Sequence, residues 1–140
     1  MMINLNYELD FELPHVTTYT QWAEACCAVE GFTIGTINFI FCDDAYLLKM
    51  NQDYLDHDYY TDIITFDYVQ GKVISGDIFI SVERVRENAD TFGHGFNEEL
   101  TRVMAHGLLH LMGYKDGNRT DKALMRKKEE EKLKMFHVER

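Results

Sequence analysis

Asn97-Glu98-Glu99-Leu100-Thr101-Arg102-Val103-Met104-Ala105-His106-Gly107-Leu108-Leu109-His110-Leu111-Met112-Gly113 carries two periodic signals at once. The apolar spacing predicts a helix over 97–112, capped by Asn97 and ended by Gly113. At ~100° per residue, Leu100, Met104, Leu108 and Leu111 share one side of that helix, while His106 and His110 lie within ~40° of each other on the opposite side. The core stripe is complete without the histidines, so the two imidazoles are free to act together. Two neutral imidazoles one turn apart are how a helix offers two nitrogen ligands to a divalent cation.

A third ligand has to come from outside the helix. Gly113 lets the chain turn back, which makes Asp116 the first candidate, with Asn118 and Asp121 as alternatives. Two imidazoles and a carboxylate form a three-ligand site with an open position, the arrangement of catalytic rather than structural zinc. The metalloprotease pattern HExxH is not met, because Gly107 stands where its Glu would be. A glycine inside a helix costs about 1 kcal/mol of propensity. It therefore marks a close approach, either by substrate or by a packed neighbouring strand.

Outward from this helix, the chain alternates between the two periods. Strands are predicted over 2–13, 33–42, 63–66 and 73–80, the last two forming a hairpin around Gly71. Helices are predicted after Pro14 to Val29, from an Asp43-Asp44 cap onward, over 81–92, over 97–112 and over 120–136. There is no repeat, linker or boundary, so one domain over 1–140 is expected. The expected class is α+β, with helices packed on one mixed, twisted four-stranded sheet and a zincin-like metal helix.

Composition bounds the function. At 140 residues and 46% hydrophobic, the chain can bury a real core, roughly two-thirds of its unfolded surface. Fourteen Lys and Arg against 24 Asp and Glu give a formal net charge of −10. That excludes coating nucleic acid with a general cationic surface, so any such contact is local or metal-assisted. No apolar run reaches the ~18 residues of a membrane helix, and the start lacks a signal peptide's features, so no membrane association and a cytosolic location are expected. Cys26, Cys27 and Cys42 lack a paired spacing and are read as reduced thiols acting as small hydrophobes.

The stretch from His106 to Tyr114 resembles the YbeY family of bacterial single-strand endoribonucleases and rRNA maturation factors, whose pattern is H-G-x-L-H-L-x-G-Y-D-H. Met50-Asn51-Gln52-Asp53-Tyr54 and Thr61-Asp62-Ile63-Ile64-Thr65-Phe66 are similar to the family's L-N-x-x-Y-R and T-D-V-L-S-F. Gly76-Asp77-Ile78 is similar to its G-D-I strand. The resemblance spans roughly residues 35 to 135. It implies one divalent metal per chain, zinc or another divalent ion, held by His106, His110 and Asp116. It also implies a single-stranded RNA substrate, a role at the 3′ end of small-subunit (16S) rRNA and in ribosome quality control, and a small-subunit ribosomal protein and a GTPase as partners.

Two positions depart from the pattern. The family's last His falls on Asp116, and oxygen ligation broadens the metal choice toward manganese or iron. Its phosphate-contacting Arg falls on Leu55, leaving Lys115, Arg84 or Arg86 as substitutes. The general base is open, with Asp62 and Lys115 the catalytic candidates.

Asp62 has a structural reading as the residue closing a turn after Thr61, whereas Asp77 sits mid-strand, where a charge needs a partner or a cleft, and is harder to dismiss. Other features read as structural. The run Arg126–Lys132 reads as an exposed helix face laced with ion pairs, His15, His57, His94 and His137 as surface residues, and Tyr54, Tyr59, Tyr60, Phe66 and Tyr68 as core aromatics. Two other functions remain open: an rRNA-binding assembly factor with a structural metal, and a peptide metallohydrolase, against which Gly107 argues.

Overall fold

Residues 73–81 alternate Ile74, Gly76, Ile78 and Ile80 with Val73, Ser75, Asp77 and Phe79, so one side of this strand is apolar throughout and the other is mixed. The computed structural model, which describes residues 1–56 and 60–136, builds a sheet with two unequal faces around it. In chain order the elements are β1 (Met2–Tyr7), α1 (Val16–Val29), β2 (Thr33–Cys42), α2 (Asp44–Leu55), β3 (Ile63–Asp67), β4 (Val73–Ser81), α3 (Val82–Phe92), α4 (Phe96–Leu111) and α5 (Arg119–Lys134). The strand order is β1-β2-β4-β3. β1 and β4 both run parallel to β2, whereas β3 returns antiparallel along β4 as the predicted hairpin. The fold is α+β, with five helices packed on a four-stranded mixed sheet.

The main core lies on the Ile78 face. Ile37, Phe39, Phe41, Ile74, Ile78 and Ile80 meet Trp22, Ala23 and Cys26 of α1 and Leu100, Met104 and Leu108 of α4 there. A smaller cluster of Cys42, Leu47 and Ile64, with Phe66 and Phe79, lies on the other face under α2. All three cysteines are buried and free, and burial pushes each thiol up to about 12, so they are inert at neutral pH.

Gly107 is explained by this packing. A Cβ there would lie 2.8 Å from Ile78 Cγ2 and 3.0 Å from Ile63 Cδ1. The missing side chain lets α4 lie flush on β3 and β4, so the close approach is made by a strand. His106, next in line, is thereby set at the β3 edge of the sheet.

Three expectations are corrected. β1 ends at Tyr7 instead of continuing to 13, because its partner β2 runs out one residue beyond Phe41, the partner of Tyr7. Leu9, Phe11 and Leu13 still pack inward without a ladder, Phe11 meeting Phe41 and Phe96 at ring distances of 5.4 and 6.1 Å. α4 starts at Phe96 with Gly95 as its cap, since Phe96 is drawn into that aromatic cluster. The Asn97 carbonyl instead accepts from the Thr101 hydroxyl. Tyr54, Tyr60 and Tyr68 are exposed and not core; Phe66 does pack, on Phe79. Tyr59, His57 and His137 lie outside the described residues. No described helix is long and apolar enough to cross a membrane.

Candidate functional site

α4 ends where Gly113 takes a φ of +101°, a conformation open to glycine at little cost. The Gly113 and Tyr114 amides close back onto the carbonyls of His110 and Leu109, reversing the chain. That reversal returns Asp116 to the helix it has just left. Asp116 Oδ2 lies 3.2 Å from His106 Nε2 and 3.5 Å from His110 Nε2. One ligand atom from each of the three residues falls within 4.8 Å of the others. Bonds of about 2.0–2.2 Å put tetrahedral donors roughly 3.3–3.6 Å apart, so this donor set fits one small divalent cation. Asn118, one of the alternative ligands, is instead the α5 cap, its Oδ1 accepting from the Asp121 amide at 2.8 Å.

The far side of His106 decides its tautomer. Its Nδ1 lies 2.6 Å from Glu129 Oε2. A carboxylate only accepts, so the proton is on Nδ1 and the Nε2 lone pair faces Asp116 and His110. Glu129, 4% exposed, is held through Oε1 by Arg102 at 3.1 Å. Arg102 in turn forms a two-pronged pair with the fully buried Glu99, which also takes a 2.8 Å hydrogen bond from His94. Burial alone would raise the Glu99 carboxyl, but the hydrogen bonds and charges of Arg102 and His94 outweigh it and hold it below its usual range. The hydrogen bonds to Glu99 likewise hold the Arg102 guanidinium above its ordinary value.

A pocket of about 350 Å³ opens over the three donors, lined by Thr61, Asp62, Thr65, Arg102, His106, His110 and Asp116. Burial raises Asp62 above the ordinary carboxyl value, against the opposing charges of Arg102, 3.9 Å away, and His106. Burial also lowers His110, helped by the neighbouring His106 and opposed by Asp116, which favours the neutral imidazole a metal needs. A larger cavity of about 530 Å³ lies on the opposite sheet face, beside Tyr54, Phe66, Tyr68 and Asp77, and among the described residues no histidine lines it. There the Asp77 carboxylate accepts from Asn38 at 2.8 Å and from the Tyr68 hydroxyl at 3.4 Å, so its mid-strand charge has partners away from the triad.

The structure places the sequence candidates unequally. His106, His110, Asp116 and Asp62 meet in one pocket. Lys115 is exposed and lines neither depression around the triad. Arg84 is paired with Asp44 and Glu87, and Arg86 lies over the Phe96 ring at 4.4 Å, both away from this pocket. Leu55, at the end of α2, is exposed.

The reading of Arg126–Lys132 as an exposed face laced with ion pairs holds for Arg126, Lys127, Glu130 and Glu131, with Lys128 paired to Glu131, but fails at two positions. Glu129 and Lys132 are buried, and Lys128 and Lys132 both donate to Glu30, across the fold. His94 is likewise no idle surface residue, since it faces both Glu98 and Glu99. Sequence reasoning missed Glu99, Arg102 and Glu129. Two signals could have found them: Glu99, Arg102 and His106 step by three and four along one face of α4, and Met125, Glu129 and Lys132 do the same on α5.

With this geometry in place, comparison with known proteins identifies relatives over nearly the whole chain. A family model described as Endoribonuclease YbeY matches residues 6–137. A protein of Flavobacterium psychrophilum named Endoribonuclease YbeY is 58% identical over 137 residues, covering 98% of each chain. Its namesake from Flavobacterium johnsoniae is 56% identical over 138 residues and covers 99% of each. A solution structure of a Thermotoga maritima protein shares the fold with a TM-score of 0.68 at 24% identity, over 97% of this chain and 89% of that one.

Proposed function

The chain belongs to the YbeY family of endoribonucleases, and from that premise we propose that it cleaves single-stranded RNA in the pocket above His106, His110 and Asp116. The observation that carries this reading is the convergence of two Nε2 lone pairs and one carboxylate oxygen at the floor of a pocket that also holds Asp62. The chain is an endoribonuclease, a hydrolase of phosphodiester bonds. Zinc is the proposed metal, since two imidazoles and a carboxylate suit it, and the oxygen ligand also admits manganese or iron.

When bound, a divalent cation supplies Lewis-acid polarisation of a phosphoryl oxygen and a water acidified toward neutrality. The protein's own groups do the rest. Glu129 holds His106 in the tautomer that presents Nε2. Asp62 takes the proton of the attacking water on its carboxylate, and its raised proton affinity suits a general base working near neutral pH. Arg102 keeps Asp62 anionic and oriented from 3.9 Å. Without a cation, the carboxylates of Asp62 and Asp116 outnumber Arg102 in the pocket lining, and the pocket repels a phosphodiester.

Family membership supports a role in maturing the 3′ end of small-subunit rRNA and in ribosome quality control in the cytoplasm, with a small-subunit ribosomal protein and a GTPase as partners. The test is incubation of the purified protein with single-stranded RNA, with and without a chelator, beside His110→Ala. Cleavage is expected to stop with chelator and return with zinc. His110→Ala is expected to lose bound metal and cleavage while keeping its circular-dichroism spectrum. Chelator-insensitive cleavage or unaltered metal content in the variant overturns the reading, and RNA binding without cleavage favours the assembly-factor alternative.

A further inference from the structure

In a chain of net charge −10, a cation left without a partner is informative about function. Lys49, Arg84, Arg102, Lys128 and Lys132 are all engaged by carboxylates. Arg86 and Lys72 lie over aromatic rings. Lys122 and Arg126 on α5 are exposed, and within the described residues neither side chain makes a hydrogen bond or ion pair. Lys115, Arg119, Lys127 and Lys134 are equally exposed and unpaired within the described residues; what sets Lys122 and Arg126 apart is their place. With Arg102, His106, Asp116 and Glu129 they line a depression of about 220 Å³. Three of those residues also line the 350 Å³ pocket, so the two hollows adjoin across the triad.

The spacing adds a second argument. Lys122 and Arg126 are four apart, and like charges at that spacing destabilise a helix. Lys122 has Asn118 four residues before it and Arg126 four after, so no acid on its own face relieves it. The acids that do face the depression are already committed: Glu129 to Arg102 and His106, and Asp116 to the two histidines. Arg126 has Glu130 four residues on but forms no ion pair with it within the described residues, so the cation pair beside the pocket is open to an anion from outside.

We propose that Lys122 and Arg126 seat a backbone phosphate of the RNA substrate next to the one being cleaved. This rests on the endoribonuclease reading of the adjoining pocket. The contact is electrostatic and independent of base identity, so it fixes the register of the strand without specifying sequence.

The experiment compares zinc-loaded wild type with Lys122→Gln/Arg126→Gln and with the control Lys127→Gln/Lys134→Gln, which removes equal charge from exposed positions elsewhere on α5. Cleavage of single-stranded RNA gives KM and kcat, and binding of a non-cleavable strand is titrated against salt. For the Lys122/Arg126 variant, KM is expected to rise about tenfold with kcat changed less than about threefold. Its log–log salt slope should flatten by about 0.7, from the one phosphate the pair neutralises. The control is expected to stay near wild type. An unchanged KM and slope in the first variant, or an equal change in the control, overturns the proposal while leaving the endoribonuclease reading intact. A wild type that neither binds nor cleaves RNA overturns both.

Discussion

Two charged clusters hang from α5 only three residues apart, and they end differently. In the one built on Lys132, Glu30 accepts from the Tyr114 hydroxyl at 2.6 Å, from Lys132 at 2.8 Å and from Lys128 at 3.1 Å. That network closes on itself, tying α1, the turn after α4 and α5 together. The one built on Glu129 runs from His94 through Glu99, Arg102 and Glu129 to His106. It ends on an Nε2 lone pair that shares its direction with His110 and Asp116. A network whose donors and acceptors all meet internally contributes stability. A network that ends on a nitrogen facing a second imidazole and a carboxylate builds a donor set that fits a cation.

The sharpest test of the open-ended cluster is Asp62→Asn. The amide keeps the shape but cannot take a proton, so kcat is expected to fall by about 10² to 10⁴ with bound metal and thermal stability near wild type. Single-turnover cleavage and metal analysis on the same preparation check it. If metal content falls together with kcat, Asp62 is a ligand and the proton acceptor lies elsewhere.

Glu30→Gln probes the closed cluster and should act on stability alone. Removing the charge leaves Lys132, 1% exposed, without its counter-ion, an expected cost of about 3–5 kcal/mol in denaturant unfolding. The pH dependence follows from the direction of the shift. Burial pushes Glu30 up, but the hydrogen bonds from Lys132, Tyr114 and Lys128 prevail and hold it at about 2. Its carboxylate therefore contributes stability fully above its unfolded value of about 4.3 and loses it as pH falls toward 2. The gap between wild type and variant should be widest at neutral pH and shrink from about pH 5 downward. Metal affinity should stay within about threefold of wild type, since Glu30 touches none of the three donors; a larger loss would mean the two clusters work as one.

The contrast between the clusters also marks how much could be read in the sequence. His106 and His110 were legible because a helix converts spacing into direction, and Asp116 because Gly113 signals a reversal immediately before it. β2, the β3–β4 hairpin and α3 were legible to within a residue or so, since their apolar periods are long and their ends carry Asp43, Gly71 and Ser81. The supports were not. Glu129 sits 23 positions from His106, within a run whose alternating charges look like any solvated helix. Only the packing of α5 on α4 turns that face inward. The end of β1 was hidden for a related reason: alternation records which side of a chain is buried, whereas pairing depends on where the neighbouring strand stops.

The smallest of these effects is the one that separates orientation from ligation. Glu129→Gln retains the volume and one acceptor oxygen, which cannot serve both Arg102 and His106 as the two carboxylate oxygens do. Either His106 loses the acceptor that fixes its Nδ1 proton, or Arg102 loses its bond and turns toward Asp62. Zinc affinity, measured by competition with a chromogenic chelator, is expected to fall about 10- to 100-fold, the usual effect of removing a histidine's carboxylate partner. Cleavage should recover at saturating zinc, because Nε2 of His106, His110 and Asp116 are all still present. That recovery distinguishes Glu129 from the three proposed ligands, whose loss added metal is not expected to repair. Wild-type affinity in a variant that is merely less stable would move Glu129 into the same class as Glu30, and would leave the alignment of His106 to the packing of α4 on the sheet.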